Sequence, residues 1–150
     1  MLLAATVLSS FIFMEFIAWS NHKYVMHGFL WVVHRDHHEN LTKNISKKLE
    51  RNDAFFVVYA TPAIILIISG LSSGSPYLVA TGAGFTLYGI ANFLVHDVLY
   101  HRRFNLFKGE VKNPYLKAAI RAHDAHHKPE SKSDFNVFGL LIFPARFLKE

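Results

Sequence analysis

The stretch AFFVVYATPAIILIISGLSSGSPYLVATGAGFTLYGIANFLVH, residues 54–96, carries no Asp, Glu, Lys or Arg over 43 residues. Soluble domains rarely run so far without a charge. About 20 apolar residues cross the hydrocarbon of a bilayer, so the stretch predicts two crossings, 55–71 and 77–96. The turn-forming SSGSP (72–76) separates them. The opening MLLAATVLSSFIFMEFIAWS predicts a third span over about 2–21, interrupted only by Glu15. A cleaved signal peptide is the alternative there, but the segment has no basic n-region and no evident Ala-x-Ala site.

Charge distribution gives the topology. All 16 Lys and Arg lie between Lys23 and Arg51 or between Arg102 and Lys149. Because such residues concentrate on the cytoplasmic side, 22–53 and 97–150 are expected in the cytoplasm, with the N-terminus and SSGSP outside. The net charge of +5 therefore reads as membrane orientation, and no nucleic-acid partner is expected. FNVFGLLIFPARF (135–147) is too short to span and is expected to lie in the interface or to re-enter. The 150 residues predict one domain, 1–150. The fold class is all-α: an integral membrane protein with about three transmembrane helices plus cytoplasmic or interfacial helices. With no cysteine, disulfides, thiolate zinc sites and cysteine-ligated clusters are excluded.

The ten histidines all fall in four short clusters: HKYVMH (His22, His27), HRDHH (His34, His37, His38), HDVLYH (His96, His101) and HDAHH (His123, His126, His127). Any one cluster is open to reading as a histidine-rich surface loop. Four of them, all brought to one membrane face by the charge-derived topology, argue for metal. Six ligands is a common upper limit, so ten imply two ions, and imidazole suits iron, zinc, copper and nickel alike. On a helix, each triplet at i, i+3 and i+4 forms one stripe and is expected to aim three imidazoles at one point. The pairs five apart sit about 140° from each other in a regular helix. They predict either a π-type irregularity at the ends of the first and third spans or pairs that serve different ions.

This pattern of a histidine pair followed by His-x2-His-His triplets resembles the membrane di-iron oxygenases: fatty acid hydroxylases, sterol oxidases and desaturases. Within that superfamily, HKYVMHGFLW (22–31), HRDHH (34–38), HDAHHK (123–128) and DFNVFGLLIFP (134–144) are similar to the bacterial β-carotene 3-hydroxylases. The resemblance implies two non-haem iron ions held by the ten histidines, although zinc or nickel can occupy such sites in purified protein. It also implies O2-dependent hydroxylation of β-ionone rings at C3, taking β-carotene through β-cryptoxanthin to zeaxanthin. Electrons would come from a ferredoxin or similar donor. The expected location is the inner membrane, among lipid and a lipophilic carotenoid substrate, with the site on the cytoplasmic side.

Four further residues are candidates for catalysis. Asp97 and Asp124, with Asp36, lie beside or within the clusters and could accept the second N–H of a ligating imidazole. Asn92 precedes His96 by one turn and is a candidate holder of metal-bound water. Glu15, the one acid inside a span, is functional by default. It is a candidate to bond another span, line a substrate tunnel or reach a ligating histidine. Phe11, Phe13, Trp19, Phe29 and Trp31 are candidate tunnel residues.

Three rival functions are weighed. A fatty acid or sterol hydroxylase of the same superfamily would differ in substrate alone. A membrane metal transporter would need a polar path along spans that are nearly apolar. A di-haem cytochrome would need about four deep paired histidines rather than ten at one face.

Overall fold

A computed structural model describes residues 1–42, 49–104, 106–107, 109–128 and 137–149, with the side chains of 40–42 left aside. Helix α1 (Leu2–Ser20) continues without a break into a π-helical segment, Asn21–Phe29. After a kink at Gly28 comes α2 (Trp31–Thr42). Helix α3 (Ala54–Ser73) ends on Gly74 in the left-handed conformation, and α4 (Pro76–Asn92) starts with Pro76 in its first turn. A second π-helical segment, Phe93–Tyr100, extends α4. Helix α5 (Pro114–His127) is capped by Asn113, whose Oδ1 accepts the Leu116 N–H at 3.1 Å. No strand occurs among the described residues.

Three segments are long and apolar enough to cross a membrane: Leu2–Phe29, Arg51–Ser73 and Pro76–Tyr100. The sequence expectation of three spans holds, and the turn falls at SSGSP as its Gly and Pro require. The first and third crossings run further than expected because each π segment prolongs its helix. His22 and His96 each follow the start of their helix by about 20 residues. At 1.5 Å per residue that is about 30 Å, the hydrocarbon thickness. Both histidine pairs therefore sit at the same edge of the membrane.

Helix α4 is the central span, packed closely on both α1 and α3. Small residues let the backbones approach, as is usual where lipid supplies no hydrophobic drive. A Cβ on Gly84 would lie 2.5 Å from the Val7 carbonyl oxygen of α1, and one on Gly82 would lie 2.9 Å from the Ala63 carbonyl oxygen of α3. One helix thus presents a glycine to each neighbour.

Glu15 fastens the C-terminal segment to this bundle. Its buried carboxylate accepts the Tyr88 hydroxyl of α4 at 2.8 Å on one oxygen. The other oxygen accepts the backbone N–H groups of Leu141 and Ile142, at 2.8 and 2.9 Å. Tyr100 and Tyr115 donate to the carbonyls of Leu140 and Leu141. The described part of the short apolar segment, 137–147, thus folds back onto α1 and α4. Phe135 and Asn136 lie outside the described residues.

Gly84→Leu should destabilise the α1–α4 contact by about 1–3 kcal/mol through overpacking, read as a lower Tm in detergent. Glu15→Ala should free the 137–144 segment by leaving its buried donors unmade, at roughly 2 kcal/mol or more. Limited proteolysis should then cut near Leu141 in Glu15→Ala and much less in Glu15→Gln, which keeps an acceptor.

Candidate metal centre

The pairs five residues apart are brought together by the π segments. The Leu30 N–H bonds the Val25 carbonyl at 3.0 Å and the His101 N–H bonds the His96 carbonyl at 2.9 Å, both i to i+5. That register stacks residues five apart instead of splaying them. The His22 and His27 ring centroids are 5.0 Å apart, and those of His96 and His101 are 4.4 Å apart. Of the two sequence alternatives for these pairs, the irregular helix is the one observed.

All ten histidines converge, in two groups. Ring nitrogens of His22, His27, His34, His38 and His126 lie within 4.8 Å of one another, and those of His37, His96, His101 and His123 do the same. His127 stands between the groups, with its ring 4.3 Å from that of His38 and 4.8 Å from that of His37.

The expectation that each triplet aims at one point is corrected. His37 and His38 differ by about 100° around the helix, so they flank His34 and diverge. His38 follows His34 into the first group while His37 enters the second. In α5, His126 enters the first group and His123, one turn earlier, the second.

Hydrogen bonds on the far side of the rings fix where the lone pairs point. His22 Nδ1 donates to the Phe138 carbonyl at 3.0 Å. His34 Nδ1 donates to Asn52 Oδ1 and His37 Nδ1 to Glu50 Oε2, each at 2.7 Å. With Nδ1 protonated, the Nε2 atoms of neutral His22 and His34 carry lone pairs that face each other at 3.2 Å. Two lone pairs do not hydrogen-bond. Two imidazoles on one ion, with bonds of about 2.0–2.1 Å, place their nitrogens about 3 Å apart. The same spacing recurs at His34–His38 (3.1 Å), His27–His126 (3.0 Å) and His101–His123 (2.8 Å). His37 Nε2 and both nitrogens of His127 are buried without a hydrogen-bond partner among the described residues. This donor set fits two metal ions.

Burial also keeps these rings neutral, as ligation requires. It pulls His34 and His38 down to about 3 and His126 to about 2. Burial, reinforced by neighbouring histidines, holds His37, His101, His123 and His127 well below the ordinary histidine range.

The acids of the sequence reading occupy different places. Asp97 Oδ2 lies 3.6 Å from His96 Nδ1, beyond hydrogen-bonding range. Its other oxygen takes the buried Arg103 guanidinium, which also pairs with Asp53 at 2.7 Å. Asp36 accepts the backbone N–H of Arg51 at 2.9 Å, and Asp124 is exposed. Glu50, Asn52 and the Phe138 carbonyl were missed. The first two sit in ERND (50–53), where Glu50 and Asp53 form a capping box just ahead of α3. That motif is visible in the sequence as a helix start, but not as the partner of two histidines. A backbone carbonyl leaves no mark at all.

Above the histidines, on the membrane side, lies a cavity of about 520 Å³ between α1, α3 and α4. It is lined mainly by apolar side chains, including Met14, Phe55, Tyr59, Phe85 and Phe93, and it reaches His22 and His34 of one group and His96 and His123 of the other. Asn92 is on its wall. The candidate tunnel aromatics are not. Phe11 packs edge-on against Tyr88, Phe13 and Phe29 are exposed, and Trp19 and Trp31 pack on Tyr24 and on His27. The reason is register: the face of α1 toward the cavity carries Met14, Ala18 and His22, and those aromatics project from other faces.

Comparison with known proteins agrees with this centre. The model of the fatty acid hydroxylase family matches residues 7–144. A β-carotene hydroxylase of Pantoea ananas is 40% identical over 94% of this chain and 77% of its own length. One from Pseudescherichia vulneris is also 40% identical, over 90% of this chain and 73% of its own. The chloroplastic β-carotene 3-hydroxylase 2 of Arabidopsis thaliana is 38% identical over 87% of this chain and 42% of its own length. No solved structure matches. With ten convergent imidazoles at the edge of three membrane spans, and a likeness to β-carotene hydroxylases running nearly end to end, the chain is a hydroxylase belonging to the fatty acid hydroxylase family.

Proposed function

We propose that the protein hydroxylates the β-ionone rings of β-carotene at C3, giving β-cryptoxanthin and then zeaxanthin, with two iron ions as the resident metals. The observation that carries this reading is the apolar cavity that opens among the spans and ends on histidines of both groups. A hydrocarbon substrate dissolved in the bilayer would reach the centre there without crossing water. Its C–H bond is unactivated, beyond the reach of acid/base groups, and bound iron supplies the O2 activation that breaks it. One oxygen atom enters the C–H bond; the other leaves as water, with electrons from a ferredoxin or similar soluble donor and protons from solvent.

The chain's own groups bind, orient and exclude water. Met14, Phe55 and Phe85 hold the ring, and Asn92 holds water or product hydroxyl beside the metals. Asp97, steadied by Arg103, orients His96 through its charge. Glu15 acts as a positioning residue: by holding Leu141 and Ile142 it keeps the Phe138 carbonyl on His22. The distribution of Lys and Arg supports an inner-membrane protein with its centre on the cytoplasmic side, where an acidic donor would meet the basic segments. The family match also fits a fatty acyl substrate, so the substrate is the point to test.

Expression in cells that accumulate β-carotene, with a ferredoxin-type donor present, should yield 3-hydroxylated rings; hydroxylated acyl chains with unchanged β-carotene would sink the carotenoid reading. Anaerobic reconstitution with Fe(II) should load about two ions per chain, one per histidine group. His37→Ala and His126→Ala should each lower that content to about one and abolish turnover. Wild-type metal content in both variants would refute the ligand assignment.

A further inference from the structure

We propose that Gly89 sets the width of the substrate entrance, and that its missing side chain is what admits a bulky six-membered ring rather than a straight chain. The inference rests on the reading of the cavity as the substrate site. It comes from comparing the glycines of α4. Gly82 and Gly84 are explained by packing, since a Cβ on either would strike a neighbouring helix within 3 Å. Gly89 has no such reason: a Cβ there would meet nothing within 4 Å. A glycine inside a helix costs about 1 kcal/mol relative to alanine, so the gap at Gly89 is not a by-product of packing.

Gly89 instead lines the cavity. Helices α3 and α4 close tightly toward their shared turn, where a Cβ on Gly70 would lie 2.7 Å from the Val79 nitrogen. Toward the histidine end the cavity is lined by both helices. Its wall includes Phe56, Ala60 and Ile64 of α3, and Gly89 and Ile90 of α4. Phe56 is 64% exposed, Ile64 54% and Ile90 51%. The same side chains therefore face both the cavity and the lipid, and the opening is lateral. Gly89 is the smallest residue lining the cavity from α4, and it lies seven residues before His96, about 10 Å along the helix. A ligand entering past Gly89 arrives at the histidines of both groups.

A leucine at 89 would fill this entrance without touching a metal ligand. In a hydrophobic pocket even one misplaced methylene changes discrimination by about tenfold or more. The test uses full-length protein in detergent, loaded with zinc so that no turnover occurs. Binding of β-carotene and of a straight-chain C16 fatty acid is measured by retention through gel filtration.

Gly89→Leu should lose about tenfold or more in β-carotene affinity while its fatty-acid affinity stays within about twofold. Gly89→Ala should fall between, and it serves as the readout if the leucine variant does not fold. Metal content should stay at about two ions per chain in both. Wild-type β-carotene affinity in Gly89→Leu, or equal losses for both ligands, overturns the proposal, as does a wild-type protein that binds no β-carotene. If the wild type binds β-carotene but its iron form does not hydroxylate it, the reaction assigned above fails while the role of Gly89 stands.

Discussion

Ten imidazoles forced together, with ring nitrogens about 3 Å apart in four pairs, are the constraint from which the rest of the structure follows. Burial strips the rings of α2 and α5 of water and keeps them unprotonated, and convergence makes lone pairs repel until a cation lies between them. Both conditions have to be imposed by the fold. The i to i+5 hydrogen bonds at Leu30 and His101 give up regular helix geometry to stack each pair. Asn52, Glu50 and the Phe138 carbonyl take the outer N–H groups of His34, His37 and His22, so that Nε2 is left to face inward.

That outer layer ties distant parts of the chain to the centre. Glu50 closes the capping box that starts α3 while it holds His37 of α2. Arg103, following the second π segment, bridges Asp53 at the same helix start to Asp97 beside His96. Glu15, deep in α1, reaches His22 indirectly: it grips Leu141 and Ile142, and the same short segment offers the Phe138 carbonyl to His22. A carboxylate in a span is costly, and here three donors meet it.

Much of this was legible in the sequence because it rests on composition and period. The uncharged stretch 54–96 announced two spans and SSGSP their turn. The five-residue histidine spacing announced a π irregularity because an α-helix cannot bring such residues together. What was not legible depends on which way a side chain faces once helices have packed. His37 and His38 look like one ligand motif, yet 100° of helical rotation assigns them to different groups. Phe11 and Phe13 look like tunnel residues, yet the cavity-facing stripe of α1 is Met14, Ala18 and His22. Glu50 and Asn52 reach their histidines across a tertiary contact that no local pattern encodes.

Among the described residues, the part of the chain beyond the membrane has little else to hold it. Its buried apolar cluster is Ala118, Ala122, Val137 and Phe147, with only one large side chain. Among the described residues, the largest fully buried side chains are His34, His37 and His126. Imidazoles occupy the space where a soluble domain would place leucine and phenylalanine. Helices α2 and α5 each send histidines to both groups, so an ion bound in either group would tie the two helices together. A ligand that binds only the folded form adds its binding free energy to stability. Metal loading and the assembly of the membrane-edge half are therefore one process, while the α1–α3–α4 bundle, closed by Gly82 and Gly84, stands on its own packing.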